Sequence, residues 1–299
     1  MDPAVMWAAA GVLVAIVTLV PTTLSWIEAR RQRLAVAAPS PVSGALSAAP
    51  SRQVWRCGIY EYPPLSSIDP VAPENASGPL VELARRVSAR VGKRLEFVTF
   101  SYRDFYGGQT ALPDLVVGMF ETRRRAEHMV FSRPFYEIGL QGICRIDQSG
   151  DVLDAVREGS LRVAVYQGEV GWEFVHDELP DAVQQHRVGE LGGGRQLDTM
   201  GLLTQGLYDV VIMDELACRN FLDEADHRAR FKLAFERAPR TFEACVALKR
   251  DNGGYLREIN LAIEEARNDA SFRQAEDIAL RGYESIIAKR ALRARPRGD

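Results

Sequence analysis

A buried strand that runs directly into a helix start constrains the fold of this chain more than any other feature. Residues 115–119 are all apolar or small, as in a strand that is buried on both faces. Residues 120–122 break this run, and Thr122 is placed to cap a helix over residues 123–129. The carboxyl end of the strand and the amino end of the helix then meet at one point, which is the usual binding position in an open α/β sheet.

Strands and helices alternate through the rest of the chain, and a second buried strand delivers Asp214 at its carboxyl end. The pattern predicts mostly parallel sheets in two α/β lobes, with a ligand cleft where the lobes join. The predicted strands are 53–60, 94–100, 115–119, 137–146, 161–167, 186–190, 209–213, 231–235 and 243–248. The predicted helices are 79–91, 101–106, 123–129, 152–158, the turn and helix at 168–178, 196–205, 215–224, 253–267 and 271–281.

The composition excludes several classes of protein. The 299 residues are 46% hydrophobic and 26% charged, an ordinary globular balance with the length of about two domains. The net charge is −3 and no basic stripe carries aromatics, so we expect no nucleic-acid partner. The cysteines lack CxxC spacing, so we expect no metal and no cofactor. We expect them to be small core residues, with disulfides as the alternative: Cys57, Cys144, Cys218 and Cys245.

Thr122 and Arg125 are the first candidates for a ligand site. Helix N–H groups and a guanidinium fork together form a receptor for a carboxylate. The alternative is that the basic run at 122–125 is simply a solvated helix face.

A set of motifs follows along the chain in an order and spacing that are specific as a whole. They are YPPL at 62–65, GPLVELA at 78–84, DLVVGM at 114–119, TRRR at 122–125, FSRPFY at 131–136, VAVYQG at 163–168 and YDVVIMD at 208–214, followed by Lys249. Through them, residues 54–283 resemble the polar amino-acid solute-binding proteins (family 3) of bacterial ABC importers. The resemblance implies the type II periplasmic-binding-protein fold, an α/β fold of two lobes with two doubly wound sheets, a hinge and an interlobe cleft.

The resemblance also implies roles for individual residues. The carboxylate-binding arginine of the family falls at Arg125, and its ammonium-binding aspartate falls at Asp214. The aromatic residue over the ligand falls at Tyr62, and a turn whose N–H groups reach the carboxylate falls at 168–170. Without the resemblance, Asp214 is explained as well by a role as a helix cap as by ligand binding. In the same way, Tyr62 is explained by packing. The full predicted ligand-binding set is Tyr62, Gly118, Phe120, Thr122, Arg125, Gly168, Glu169, Val170 and Asp214.

Acidic residues mark where this chain departs from the family pattern. The segment at 117–121 is one residue shorter than usual and ends in Glu121, and Glu169 stands where the family has a threonine. A glutamate that points into the cleft would repel an anionic ligand and favour a cationic side chain. The alternative is that each glutamate caps the helix that follows it. We expect Arg123 and Arg124 to be solvated.

The first fifty residues carry a predicted membrane anchor. Residues 4–26 are apolar and reach about 35 Å as a helix, enough to span a bilayer. No basic residue precedes them, which favours an uncleaved anchor over a cleaved signal peptide. Arg30, Arg31 and Arg33 would by the positive-inside rule hold the rest of the chain in the cytoplasm, whereas the resemblance implies the periplasm, and both orientations stay open.

The predicted organisation divides the chain into five parts with a hinge near 142–145 and 240–244. They are an anchor with its basic flank at 1–33, an Ala/Pro/Ser-rich linker at 34–51, lobe 1 at 52–146, lobe 2 at 147–242 and a return to lobe 1 at 243–299.

The predicted function is capture of an amino acid, or a similar small zwitterion, for ABC-type import by a periplasmic protein tethered to the inner membrane. An ABC permease is then the expected partner, and we expect no enzymatic activity. The alternatives are a sensor or accessory protein that binds a ligand, and a dehydratase-like enzyme on the same fold. Such an enzyme needs a positioned acid and base. The histidines are dispersed along the sequence: His128, His176, His186 and His227.

Overall fold

The computed structural model describes residues 53–108, 112–191 and 199–283. The predicted anchor and the predicted linker lie outside these residues. Within them, no helix combines the length and the apolar character that a bilayer crossing requires.

Strands and helices alternate in the described residues much as the sequence predicts. The strands are β1 (Val54–Ile59), β2 (Arg94–Thr99), β3 (Leu115–Phe120), β4 (Met129–Phe131), β5 (Tyr136–Arg145), β6 (Val163–Tyr166), β7 (Val188–Leu191), β8 (Val210–Asp214), β9 (Phe231–Leu233) and β10 (Thr241–Lys249). The helices are α1 (Pro79–Val91), α2 (Tyr102–Gly107), α3 (Arg123–Ala126), α4 (Val152–Arg157), α5 (Val170–Glu178), α6 (Asp181–Arg187), α7 (Thr199–Thr204), α8 (Glu215–Leu222), α9 (Ala225–Arg230), α10 (Leu256–Asn268) and α11 (Ala270–Ala279). Two 3-10 turns lie at Pro73–Asn75 and Arg250–Tyr255.

The strands form a mixed sheet in the order β2-β1-β3-β10-β5-β8-β6-β7. Strand β4 pairs with β10, and β9 pairs with β5. Parallel pairs join β1 to β2 and β3, and join β6 to β7 and β8, as the alternation predicts. Strands β10 and β5 are antiparallel to their neighbours in the middle of the order.

Strand β5 pairs with strands on both sides of it in this order, and each part of the strand has a different partner. Its residues 136–139 pair with β10, and its residues 140–144 pair with β8. We call β1 to β4, β10 and residues 136–139 the first half, and residues 140–145 with β6 to β9 the second half. The chain passes between the halves at Gly139–Leu140 and at Arg240–Thr241, where the Leu140 N–H donates to the Arg240 carbonyl at 2.7 Å.

Strand β5 changes its pairing partner between residues 139 and 140, which precede the predicted hinge at 142–145. Residues 142–145 pair with β8 and β9 and are therefore part of the second half. The division of the chain into lobes with boundaries at 146 and 242 stays a prediction.

Several elements differ from their sequence predictions. The predicted helix at 123–129 ends at Ala126, because residues 129–131 pair with β10 and Met129 is buried beneath that pairing. The predicted strand at 186–190 begins only at Val188, and His186 lies in α6. Strand β4 and helices α6 and α9 were not predicted.

The cysteines are buried apolar residues, as predicted. Cys57, Cys144, Cys218 and Cys245 are all buried, and none of them is in a disulfide. Burial raises the pKa of Cys57 to about 12, and it also raises the pKa of Cys144 and Cys218. A thiol with a raised pKa carries little thiolate at neutral pH, so these side chains act as packing groups.

Close packing of α5 against β8 depends on a glycine. A Cβ placed on Gly171 would lie 2.3 Å from the Ile212 carbonyl oxygen, so an added methyl group forces the helix away from the strand. Overpacking of this kind costs about 1–3 kcal/mol.

Replacing Gly171 with alanine should therefore lower the free energy of unfolding by about 1–3 kcal/mol, although alanine is the better helix former. Urea denaturation followed by circular dichroism measures the change. Gly254→Ala is the matched control, because nothing lies within 4 Å of its Cβ position. Equal midpoints for the two variants would contradict the packing argument.

Candidate functional site

A cleft of about 520 Å³ lies between the two halves, at the carboxyl ends of β3 and β8. Its walls combine side chains from the first half with others from the start of α5 and the end of β8. Those that carry charge or an aromatic ring are Tyr60, Glu61, Tyr62, Phe100, Tyr102, Arg103, Phe120, Arg125, Tyr166, Glu169 and Asp214. The site therefore lies at the strand ends where the sequence places it.

Arg125 is fully buried at the base of the cleft. The Thr122 hydroxyl caps α3 by accepting from the Arg125 N–H at 3.3 Å, which confirms the predicted helix start. The Arg125 guanidinium donates from Nη1 to the Phe120 carbonyl and from Nη2 to the Gly168 carbonyl, each at 3.1 Å. Because Phe120 and Gly168 belong to different halves, this one side chain connects them.

A buried carboxylate, Glu173, faces the same guanidinium. Its Oε1 lies 3.1 Å from Arg125 Nε, without the alignment of a hydrogen bond, and accepts from the Tyr106 hydroxyl at 2.8 Å. The Tyr102 ring covers the guanidinium, with 4.2 Å between Arg125 Cζ and the ring centroid. Burial lowers the pKa of Arg125, but Tyr102 and then Glu173 outweigh it and raise that pKa above its ordinary value. Arg125 therefore stays charged, and Glu173 compensates the charge.

Sequence reasoning did not identify Glu173. It lies on α5 between Trp172 and Phe174, and it is 1% exposed. A single glutamate inside an otherwise apolar helix face is the one local signal that would have marked it.

Asp214 lies on the opposite wall, at the end of β8, and is 4% exposed. Its Oδ1 accepts from the Ala217 N–H at 3.0 Å, which caps α8, and from the Tyr62 hydroxyl at 2.7 Å. Asp214 is thus both a helix cap and a cleft residue. Burial raises its pKa, and the hydrogen bonds from Ala217 and Tyr62 offset only part of the rise.

Glu169 lines the cleft and does not cap α5. It stands at the N-cap position, but its side chain makes no capping hydrogen bond, so the capping alternative is wrong for this residue. Burial raises the pKa of Glu169 to about 7, with a further rise from Asp214 and an opposing effect of Arg125. Glu121 is exposed and is not part of the cleft lining.

The remaining predicted residues divide into lining and support. Phe120 and Val170 line the cleft directly. Gly118 and Gly168 adopt positive φ values of 90° and 79°, and a Cβ on Gly168 would meet the Tyr106 ring at 2.8 Å. The Gly118 carbonyl accepts from the Tyr60 hydroxyl at 2.9 Å. These glycines, with Thr122, hold the backbone behind the lining side chains.

Arg124 was predicted to be solvated, and this is wrong in part. Its Nη2 lies 3.2 Å from Asp177 Oδ1 in the second half, and its guanidinium lies over the Trp172 ring at 5.3 Å. Asp177 also pairs with Arg240 at 3.4 Å. Arg123 is exposed, as predicted.

The raised pKa of Glu169 makes the stability of the protein depend on pH. Its ordinary pKa is 4.5 and its folded pKa is about 7, so the folded state holds a proton that the unfolded state has lost between these values. The free energy of unfolding therefore falls as pH rises through this window.

Glu169→Gln should remove this contribution, so that the variant gains stability over wild type as pH rises from 5 to 8. Urea denaturation across that range measures the difference, with exposed Glu236→Gln as the control. If the free energies of unfolding of Glu169→Gln and wild type differ by the same amount at all pH values, the prediction is wrong.

Comparison with known proteins identifies the family of this chain. A family model of bacterial extracellular solute-binding proteins, family 3, matches residues 56–278. No curated protein matches the sequence.

Solved structures share the fold at low sequence identity. An arginine 3rd transport system periplasmic binding protein from Legionella pneumophila is 16% identical, with a TM-score of 0.61 over 76% of this chain and 99% of that chain. An ancestral arginine-binding protein bound to arginine is 21% identical, with a TM-score of 0.60 over 76% and 98%. A histidine kinase sensor domain with similarity to periplasmic binding proteins is 17% identical, with a TM-score of 0.61 over 77% and 96%.

These likenesses establish an α/β periplasmic-binding-protein fold, as the resemblance in the sequence predicts. The family match spans most of the chain, from the second residue after the start of β1 into α11. The chain belongs to the bacterial extracellular solute-binding proteins, family 3.

Proposed function

We propose that this protein captures an amino acid, or a similar small polar solute with an amino group, in the cleft between its halves and delivers it to an ABC permease. Family membership supports a solute-binding role. The apolar residues 4–26 support tethering to the inner membrane, and family membership supports placing the cleft in the periplasm.

The observation that carries the proposal is Asp214 in the cleft wall. A buried carboxylate needs a cationic partner or several hydrogen bonds, and Asp214 has the Ala217 N–H and the Tyr62 hydroxyl on one oxygen. An ammonium group from a solute supplies the charge that these neutral donors do not. The rings of Tyr60, Tyr62 and Tyr102 line the same cleft, and aromatic rings attract a cation.

The carboxylate end of the predicted zwitterion clamp rests on Arg125 and the turn at 168–170. Arg125 lines the cleft, and the turn opens α5 beside it. Glu173 already faces Arg125, so this end has less charge to offer a solute than the end at Asp214.

A signalling role is the second candidate, supported by the likeness to the histidine kinase sensor domain. Uptake of a labelled solute that depends on this protein distinguishes import from signalling. Catalysis has less support, because the lining of the cleft contains no histidine among the described residues. Instead, the His176 ring packs on Trp172 and the His227 ring on Phe221.

Asp214→Asn should weaken solute binding at least about 30-fold, since truncating one partner of a buried charge pair costs about 2 kcal/mol or more. Asparagine also caps helices, so the fold should be preserved. Thermal shift with the twenty amino acids and their decarboxylated amines identifies the solute, and calorimetry measures its affinity.

Asp269→Asn is the matched control, because Asp269 caps α11 in the same way but lies away from the cleft. It should leave the affinity unchanged. The proposal fails when no compound stabilises the wild type, or when Asp214→Asn binds the solute as well as Asp269→Asn does.

A further inference from the structure

The Arg125–Glu173 pair changes which solutes the cleft favours, compared with the predicted clamp for a zwitterion. A guanidinium receives a solute carboxylate best through two parallel N–H donors. Here all three nitrogens of Arg125 face a protein oxygen at 3.1 Å: the Phe120 carbonyl, the Gly168 carbonyl and Glu173 Oε1. The Tyr102 ring covers one face of the same group. Glu173 therefore already balances the charge that the predicted receptor offers, while Nη1 and Nη2 each keep a second N–H.

The charge balance inside the cleft follows from this pair. Arg125 and Glu173 are 0% and 1% exposed and cancel each other. The charged groups that remain in the inner lining are Asp214 and Glu169, both acids. Arg103 and Glu61 are exposed and of opposite sign, so they add no net charge at the rim.

Aromatic rings enclose the space beside the two acids. The Tyr60 ring lies 5.5 Å from that of Tyr62 and 5.6 Å from that of Tyr102, between centroids, and Phe120 completes this wall. Acidic groups beside several ring faces favour an organic cation. A carboxylate on the same solute would meet an Arg125 whose charge Glu173 already balances, and it would add a further anion beside Asp214 and Glu169.

We propose that the cleft binds an organic cation without a carboxylate, a primary amine or guanidine with a short aliphatic or aromatic body, and that Glu173 sets this preference by balancing the charge of Arg125. The inference rests on the proposed function, in which the cation lies against Asp214. It narrows the solute from amino acids to amines.

Pairs of compounds that differ only in the carboxylate test this preference. Calorimetry at pH 8, where Glu169 with its pKa of about 7 is mostly ionised, compares agmatine with arginine, cadaverine with lysine, tyramine with tyrosine and histamine with histidine. In each pair that binds, the amine should bind at least tenfold more tightly. An amino acid that binds as tightly as its amine overturns the inference and leaves the proposed function standing.

Glu173→Gln keeps the shape of the side chain and removes its charge, which leaves Arg125 free to attract an anion. The ratio of amine affinity to amino-acid affinity should fall at least tenfold in this variant. Glu178→Gln is the matched control on the same helix, since Glu178 faces Arg157 and Arg240 instead. It should leave the ratio unchanged.

A second variant keeps the test decisive when Glu173→Gln does not fold. Tyr106→Phe removes only the hydroxyl that donates to Glu173, and it should shift the ratio in the same direction by a smaller factor. An unchanged ratio in the folded variant overturns the role of Glu173. Absence of binding by both members of every pair overturns this inference, and the proposed function fails with it only when none of the twenty amino acids or their amines binds.

Discussion

The ion pair between Arg125 and Glu173 is the interaction on which the rest of the cleft depends. It joins the first half to the second where no water reaches it, and removing one partner of such a pair costs about 3–5 kcal/mol. Two backbone carbonyls, one from each half, accept from Arg125, and the Tyr106 hydroxyl donates to Glu173. The pair is therefore a structural connection between the halves and an electrostatic boundary of the cleft at the same time.

The opposite wall has a different character. Asp214 and Glu169 both have raised pKa values because burial penalises their charge, and each lies near the other. Ionising these buried acids lowers the stability of the folded protein. A cationic solute beside them relieves that penalty. In the proposed function, the binding free energy comes from relieving this penalty as much as from new contacts.

Local features of the sequence explain which parts of the structure were predictable. The β3 run, the Thr122 cap and the α1 start at Pro79 are set by neighbouring residues, and all three were predicted. Strand β4 was missed because its pairing partner, β10, lies far along the chain. Glu173 was missed for the same kind of reason: its burial depends on how α5 lies against the first half. Which of the cleft residues contact a solute stays a prediction.

The path of the chain through β5 has a mechanical consequence. Within the described residues the halves are linked at Gly139–Leu140 and at Arg240–Thr241, and a hydrogen bond of 2.7 Å joins the two links. Two adjacent links define a single axis, so rotation about it is the easiest relative motion of the halves, while sliding or twisting strains the sheet. Any opening of the cleft must then separate Arg124 from Asp177 and Tyr62 from Asp214 in the same movement. Access to the cleft is accordingly governed by one angle, and every contact across the cleft contributes to the energy of changing it.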